Sequence, residues 1–507
     1  MRVSPPFFEL VFGLALSCTA VSCAGSDPAA TAADHTADTS NSNDGSGDAS
    51  QGNTTVDHDA GSTTKGDASG GSKADAGVPG NSGKADAGGP TSSGKSDAGG
   101  EGDSSVGASS DMQYPHPNGY LNVAVQPGEA FDPAKADTHP MADYTPPTGW
   151  TWHNIDGAKC RDGSQFGVMA HWSDSKSTKL FIYFEGGGAC ANPGFCDLNP
   201  ADVNHQFSGK GQLAIASTSL ENTPQDPGKD GIFNFSEATN PYKDWNFVYI
   251  PYCTGDVHFG GNPNGKIEGV TGTLNFSGAA NSKAVIARAL ATWPDTTRFI
   301  AGGSSAGGYG AGLNYGVIQD SFANAEGSVL LDASPPFGNK YAPVCLQKRW
   351  RESWNLDANI PADCGEQCKS ADGGNLFNIV DYWRAKYPKT HVALVSGIHD
   401  EIIRLFFALG NNDCADYQTD DPVLSFIGSA GQTYDPDMFA AGLEDLRMRY
   451  LSTGQLATYY EDGVPNSTIH QCLFDPRLYT AAAGDGLATI AAFLTDFTND
   501  KMTQVGP

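Results

Sequence analysis

A mostly parallel β-sheet flanked by helices is the fold class that this sequence predicts, and two observations predict it. Short apolar runs, KLFIYF (179–184), NFVYI (246–250), RFIAG (298–302), SVLL (328–331) and HVALV (391–395), have the length and composition of buried strands. Between them lie stretches of helical periodicity such as NSKAVIARALATW (281–293), in which Ile286, Leu290 and Trp293 share one face. Strands that alternate with helices need crossover connections and so pair in parallel. In such sheets the chemistry gathers at the carboxyl ends of the strands.

Only part of the 507-residue chain has this character. Residues 24–112 hold no Leu, Ile, Phe, Trp or Tyr. A segment that buries so little apolar surface does not offset its ordering entropy, so it reads as a disordered Gly/Ser/Ala/Asp-rich linker. Its repeat, which sets Lys73, Lys84 and Lys95 at equal spacing, carries too much glycine for a helix. Ahead of it, FFELVFGLALSCTAVSC follows Arg2 and ends in small residues. Residues 1–23 therefore read as a secretory signal rather than a membrane span. Small residues before Cys23 and a polar tether after it resemble a bacterial lipoprotein cleavage site, at which Cys23 would carry lipid. Cys18 is the alternative acceptor, and release of a soluble secreted protein is the alternative outcome. The expected location is the cell envelope or the exterior.

Residues 113–507 read as one globular domain, with aromatic residues throughout. The formal charge of −28 opposes nucleic acid and anionic membrane surfaces. A membrane then enters only through the N-terminal lipid, and a monomer is expected. Nine cysteines fall in this domain: Cys160, Cys190, Cys196, Cys253, Cys345, Cys364, Cys368, Cys414 and Cys472. In an exported domain they predict disulfides with one thiol left over. Cys364 and Cys368 have no paired Cys or His motif nearby, so no metal site is expected.

The run RFIAG leads directly into GSSAGG, and the spacing selects one of the two serines. Gly303-Ser304-Ser305-Ala306-Gly307 fits G-x-S-x-G only with Ser305 at the centre, because a frame centred on Ser304 ends on Ala306. A sharp strand-to-helix turn crowds the chain, so the residues two before and two after must lack bulk, and the serine hydroxyl is lifted toward substrate. Glycine-rich turns after strands also occur without catalysis, so the motif needs partners. A nucleophilic serine needs a base, and the base an orienting acid, in the order Ser, acid, His. SGIHDEIIR sets Asp400 just past a strand tip, and PNSTIHQCL sets His470 near the end of the chain. Asp332, at the end of the preceding strand, is the rival acid. His399 is the rival histidine but has no acid downstream in the expected order. In YFEGGGAC, Gly186, Gly187 and Gly188 follow a strand, and their backbone N–H groups can approach a developing oxyanion closely.

With these residues in view, YFEGGGACANPGFC, NPYKDWNFVYIPYCTGDVHFGG, GGSSAGGYGAGLNYG, GIHDEIIR and IHQC together resemble the pectin acetylesterase family, which includes plant pectin acetylesterases and the animal carboxylesterase Notum. The resemblance runs over roughly residues 145–490, with the motifs in family order. It implies an α/β-hydrolase-type fold and a serine esterase with neither metal nor organic cofactor. It also implies Ser305 as nucleophile, Asp400 as acid, His470 as base, and Gly187, Gly188 and Ala306 as oxyanion-hole positions. For the cysteines it implies Cys190 with Cys196, Cys160 with Cys253, and Cys414 with Cys472. Cys345, Cys364 and Cys368 would then share one bridge and one free thiol. Plant members show Trp where this chain has Ala189, and Notum has Trp at the position of Gly188, so neither supplies the pocket size.

The expectation is an ester hydrolase that removes acyl, chiefly acetyl, groups from an acylated polysaccharide or another ester. A Notum-like deacylase of a lipidated substrate is the second enzymatic reading. A carbohydrate-binding surface lipoprotein that has lost turnover is the non-enzymatic one.

Overall fold

The computed structural model describes residues 140–141, 149–203, 230–415, 417, 434–451, 453–461, 470, 472–474, 476–480 and 488–506. The signal, the linker, Cys18 and Cys23 lie outside these residues. Its centre is a nine-stranded sheet in the order β1-β2-β4-β3-β7-β8-β9-β10-β11. The strands are β1 (Trp150–Lys159), β2 (Gln165–His171), β3 (Lys179–Phe184), β4 (Asn246–Ile250), β7 (Arg298–Ser304), β8 (Glu326–Asp332), β9 (His391–Gly397), β10 (Leu456–Glu461) and β11 (Gln504–Val505). A separate small hairpin pairs β5 (Asn262–Gly265) with β6 (Leu274–Phe276). From β4 to β11 every pairing in the large sheet is parallel, while β1 with β2 and β2 with β4 are antiparallel. This mixed, mostly parallel sheet with helices on its faces is an α/β-hydrolase-type fold.

The apolar runs form central strands because both their faces are covered. In β3, Leu180, Ile182 and Phe184 enter one hydrophobic cluster, and Phe181 and Tyr183 enter the other. Full burial of such a side chain stabilises by about 1.5–3 kcal/mol. On the first face pack helices α1 (Pro193–Leu198), α2 (Gly278–Thr292), α3 (Ala306–Ser321), α4 (Val344–Trp354), α5 (Ile379–Lys386), α6 (Glu401–Ala408) and α7 (Pro436–Leu451). On the second lies α8 (Ile490–Thr498), through Ile490, Phe493 and Leu494. Strand order places the site. The chain leaves β3 for β4 on one side, whereas β7 lies on the other, so the connections diverge between β3 and β7. Their carboxyl ends are in register, Phe184 beside Gly303, and a crevice opens there.

The disulfides correct one part of the sequence reading. Cys160 is bonded to Cys253 and Cys190 to Cys196. Cys414, however, is bonded to Cys345 and not to Cys472, and Cys364 is bonded to Cys368, so none of Cys345, Cys364 and Cys368 is a free thiol. The physical reason is the sheet itself: Cys414 is buried in the cluster on the first face and Cys472 in the cluster on the second.

Candidate active site

The turn after β7 has the crowding that the glycine frame implies. A Cβ on Gly303 would stand 2.5 Å from the Phe184 carbonyl oxygen and from the Gly307 carbonyl carbon; one on Gly307 would stand 2.0 Å from the same Phe184 oxygen. Ser305 between them has φ 56° and ψ −125°, left-handed backbone that a non-glycine residue rarely holds. The neighbouring strand over-determines it: the Ser305 N–H donates to the Asp332 carbonyl at 2.8 Å, and Ser334 Oγ donates to the Ser305 carbonyl at 2.8 Å. Ser304 turns the other way. It is fully buried, its Oγ donates to Asp332 Oδ2 at 2.6 Å, and it accepts from the Tyr183 hydroxyl at 3.0 Å.

Asp400 and His470, far apart in sequence, meet. His470 Nδ1 lies 2.8 Å from Asp400 Oδ2 and 3.0 Å from Oδ1. Asp400 is fully buried and is also the N-cap of α6, accepting from the N–H groups of Ile402 and Ile403 at 3.0 and 2.9 Å. Capping and histidine binding are thus done by one carboxylate, which the helix holds rigid. Because Asp400 accepts from its other neighbours as well, Nδ1 is the donor, and in the neutral imidazole Nε2 is then the nitrogen that keeps its lone pair. Nε2 is buried and has no hydrogen-bond partner among the described residues. His399 makes no such contact with Asp400.

Asp332, the rival acid, has a different task. Its carboxylate accepts from Ser304 Oγ and from the backbone N–H groups of Cys472 at 3.0 Å and Leu473 at 3.1 Å. Burial pushes its pKa up, and these donors hold it down in part. Asp332 therefore ties the serine turn to the segment that begins two residues after His470.

Ser305, Ala306 and Gly188 line one pocket, together with Ala189, Val257, Tyr309, Trp350, Trp354, Leu376, Phe377, Ile403, Phe406 and Phe407. Gly187 stands one residue behind this wall. The N–H groups of Gly187, Gly188 and Ala306 donate to no acceptor among the described residues. Helix α6 joins the two halves of the site, since it is capped by Asp400 and gives Ile403, Phe406 and Phe407 to the wall beside Ser305. Sequence reading missed these wall residues, although the i, i+4 spacing of Trp350 and Trp354 and the i, i+3, i+4 spacing of Ile403, Phe406 and Phe407 signal one apolar face each. The two indoles stack with centroids 5.8 Å apart. No group of three or more metal-ligating side chains occurs among the described residues.

Residues 150–371 match the family model described as pectinacetylesterase, a span that holds Gly187, Gly188 and Ser305 and stops short of Asp400 and His470. Among curated proteins, palmitoleoyl-protein carboxylesterase notum1 of Xenopus laevis is 30 % identical over 240 residues, 43 % of this chain and 45 % of that protein. Palmitoleoyl-protein carboxylesterase NOTUM of Mus musculus is 29 % identical over 240 residues, 43 % of this chain and 44 % of that one. A solved structure of the Wnt deacylase Notum from Drosophila superposes with a TM-score of 0.47 at 19 % identity, covering 70 % of this chain and 96 % of that chain. The chain spans a little under half the length of the curated relatives it matches.

Proposed function

We propose that this chain, whose residues 150–371 match the pectinacetylesterase family model, is a serine carboxylesterase in which Ser305, His470 and Asp400 form the catalytic triad. The observation that carries this reading is the His470–Asp400 pair, which leaves His470 Nε2 without a hydrogen-bond partner among the described residues, while the helix that Asp400 caps lines the apolar pocket beside Ser305. Ser305 Oγ attacks the ester carbonyl as its proton passes to His470 Nε2. Asp400 keeps the imidazole in the tautomer that can take that proton and stabilises the imidazolium. The N–H groups of Gly188 and Ala306, with Gly187 behind them, receive the negative charge on the carbonyl oxygen. His470 returns the proton to the leaving alcohol; it then takes a proton from a water that attacks the acyl-enzyme, the bond to Ser305 Oγ breaks, and the proton goes back to Oγ as the acid leaves.

For the acyl group, acetyl on a polysaccharide is the first reading, in keeping with the family's description. A longer hydrocarbon chain is the second, and a specific observation favours it: apart from Ser305 and the Tyr309 hydroxyl the pocket wall has no polar side chain, and six of its residues are Trp, Phe or Tyr. The relatives named as palmitoleoyl-protein carboxylesterases support the same reading. Rates on p-nitrophenyl esters from acetate to decanoate decide between the two: a maximum at acetate supports the first, and kcat/KM that climbs with chain length supports the second. An inert wild type on all of them would favour a binding protein without turnover. The disulfides suit an oxidising, exported setting. We propose that a lipid on Cys23 and the linker over 24–112 tether the domain to a membrane; wild-type fractionation of Cys23→Ser would reject the tether.

A further inference from the structure

The glycine turn after β3 poses a problem that its own sequence does not solve. Gly187 has φ +150° and Gly188 φ +79°, conformations natural to glycine, and the peptide unit between them has no Cβ on either side to resist turning over. A flip of that unit would point a carbonyl oxygen, not an N–H, at the pocket beside Ser305. Something outside the turn must fix it.

We infer that Asn199 is a positioning residue of the oxyanion hole, clamping the Gly187–Gly188 peptide so that the Gly188 N–H faces the pocket. Asn199 Nδ2 donates to the Gly187 carbonyl at 2.6 Å. That carbonyl and the Gly188 N–H belong to one planar trans unit and point in opposite directions, so anchoring the first aims the second away from Asn199. Gly188 is in the pocket wall with Ser305 and Ala306, whereas Asn199 is buried behind it. The amide is itself oriented. The Arg161 guanidinium, buried, donates from Nη1 to Asn199 Oδ1 at 2.8 Å and from Nη2 to the carbonyls of Asn199 and Cys196 at 2.7 and 2.8 Å. Since Arg is a donor only, the amide oxygen must face it, and the amide nitrogen is left for Gly187. A Cβ on Gly187 would come within 2.9 Å of the Tyr252 ring, so the turn is also packed from behind.

This inference rests on the proposed serine esterase mechanism, and its test separates the two. Asn199→Asp keeps the acceptor for Arg161 but sets an oxygen against the Gly187 carbonyl. Wild type, Ser305→Ala and Asn199→Asp are compared on a short chromogenic ester, and for binding of a trifluoromethyl ketone, whose hemiketal oxygen mimics the oxyanion, against the matching unreactive amide. The expected result is a kcat about 10²-fold lower in Asn199→Asp, the scale set by loss of one oxyanion donor. KM and amide affinity should stay within about twofold, and ketone affinity should fall with kcat. A purely structural role would lower the melting temperature without this split. If Asn199→Asp fails to fold, Asn199→Ser, smaller and uncharged but too short to reach Gly187, carries the same expectation. Near-wild-type kcat in a folded Asn199 variant overturns the clamp alone. Absence of Ser305-dependent turnover in wild type overturns the mechanism and the clamp with it.

Discussion

Asp332→Asn removes a buried charge on which three donors converge: Ser304 Oγ at 2.6 Å, the Cys472 N–H at 3.0 Å and the Leu473 N–H at 3.1 Å. Hydrogen bonds to a charged group contribute about 1.5–3 kcal/mol and neutral ones about 0.5–1.5, so each contact weakens by roughly 1 kcal/mol. The amide also turns an N–H toward one of these donors. Against this, the buried carboxylate, whose pKa burial raises, no longer has to be held charged. The net cost is about 2 kcal/mol, a fall of a few degrees in Tm. The larger effect is kinetic. The loosened segment begins two residues after His470, and a misplacement of about 1 Å in a catalytic group costs up to about 10²-fold. We expect kcat to fall about 10-fold or more with KM unchanged. The assay is steady-state hydrolysis of a p-nitrophenyl ester well below Tm, with Tm followed by calorimetry. A lowered Tm with kcat within twofold of wild type would refute the reasoning. A loss greater than that of Asp400→Asn would make Asp332 the acid.

Asp400→Asn should lower kcat by about 10²-fold or more, because the imidazole loses the acceptor that fixes its tautomer; kcat measured beside KM checks this. Cys345→Ala and Cys414→Ala should each lower Tm, and the double variant should be no worse than either, because both break the one bond. That bond spans a sequence separation of 69, for which chain entropy gives about 4 kcal/mol; Cys472→Ala should instead add to Cys414→Ala. His258 is buried and its Nε2 lies 2.8 Å from the Glu185 carbonyl; burial above all lowers its pKa to about 4 from 6.5. Between those values the unfolded chain binds the extra proton, so this contribution is present above about pH 6.5 and is lost as the pH falls to about 4, at most about 3 kcal/mol. His258→Gln should flatten that slope in urea melts. Subtracting the variant's melts from wild type isolates it from Asp256, whose pKa burial raises to about 6 and which acts with the opposite sign.

What the sequence made legible follows from how local each constraint is. The central strands were readable because burial on both faces demands unbroken apolar runs. The tight turn around Ser305 was readable because the clash of any Cβ at Gly303 or Gly307 with Phe184 leaves a mark in five consecutive residues. The position of Asp400 just past a strand tip was legible, and its contact with His470 was not. The antiparallel β1 was not legible, because its residues alternate poorly between buried and exposed. The partner of Cys414 depends on which face of the sheet each cysteine reaches, and no spacing records that. Asp332 and Asn199 act through backbone groups of distant segments, and a backbone acceptor leaves no signature in residue type. Their roles needed coordinates.

The most direct test of the central claim is covalent labelling of the purified full chain with a fluorophosphonate, followed by peptide mass mapping with fragmentation that resolves Ser304 from Ser305. One adduct is expected, on Ser305. Ser304→Ala should still be labelled, whereas Ser305→Ala and His470→Ala should be labelled at least about 10²-fold more slowly or not at all. An adduct on Ser304 or elsewhere, undiminished labelling of folded Ser305→Ala, or no adduct on the folded wild type would contradict it.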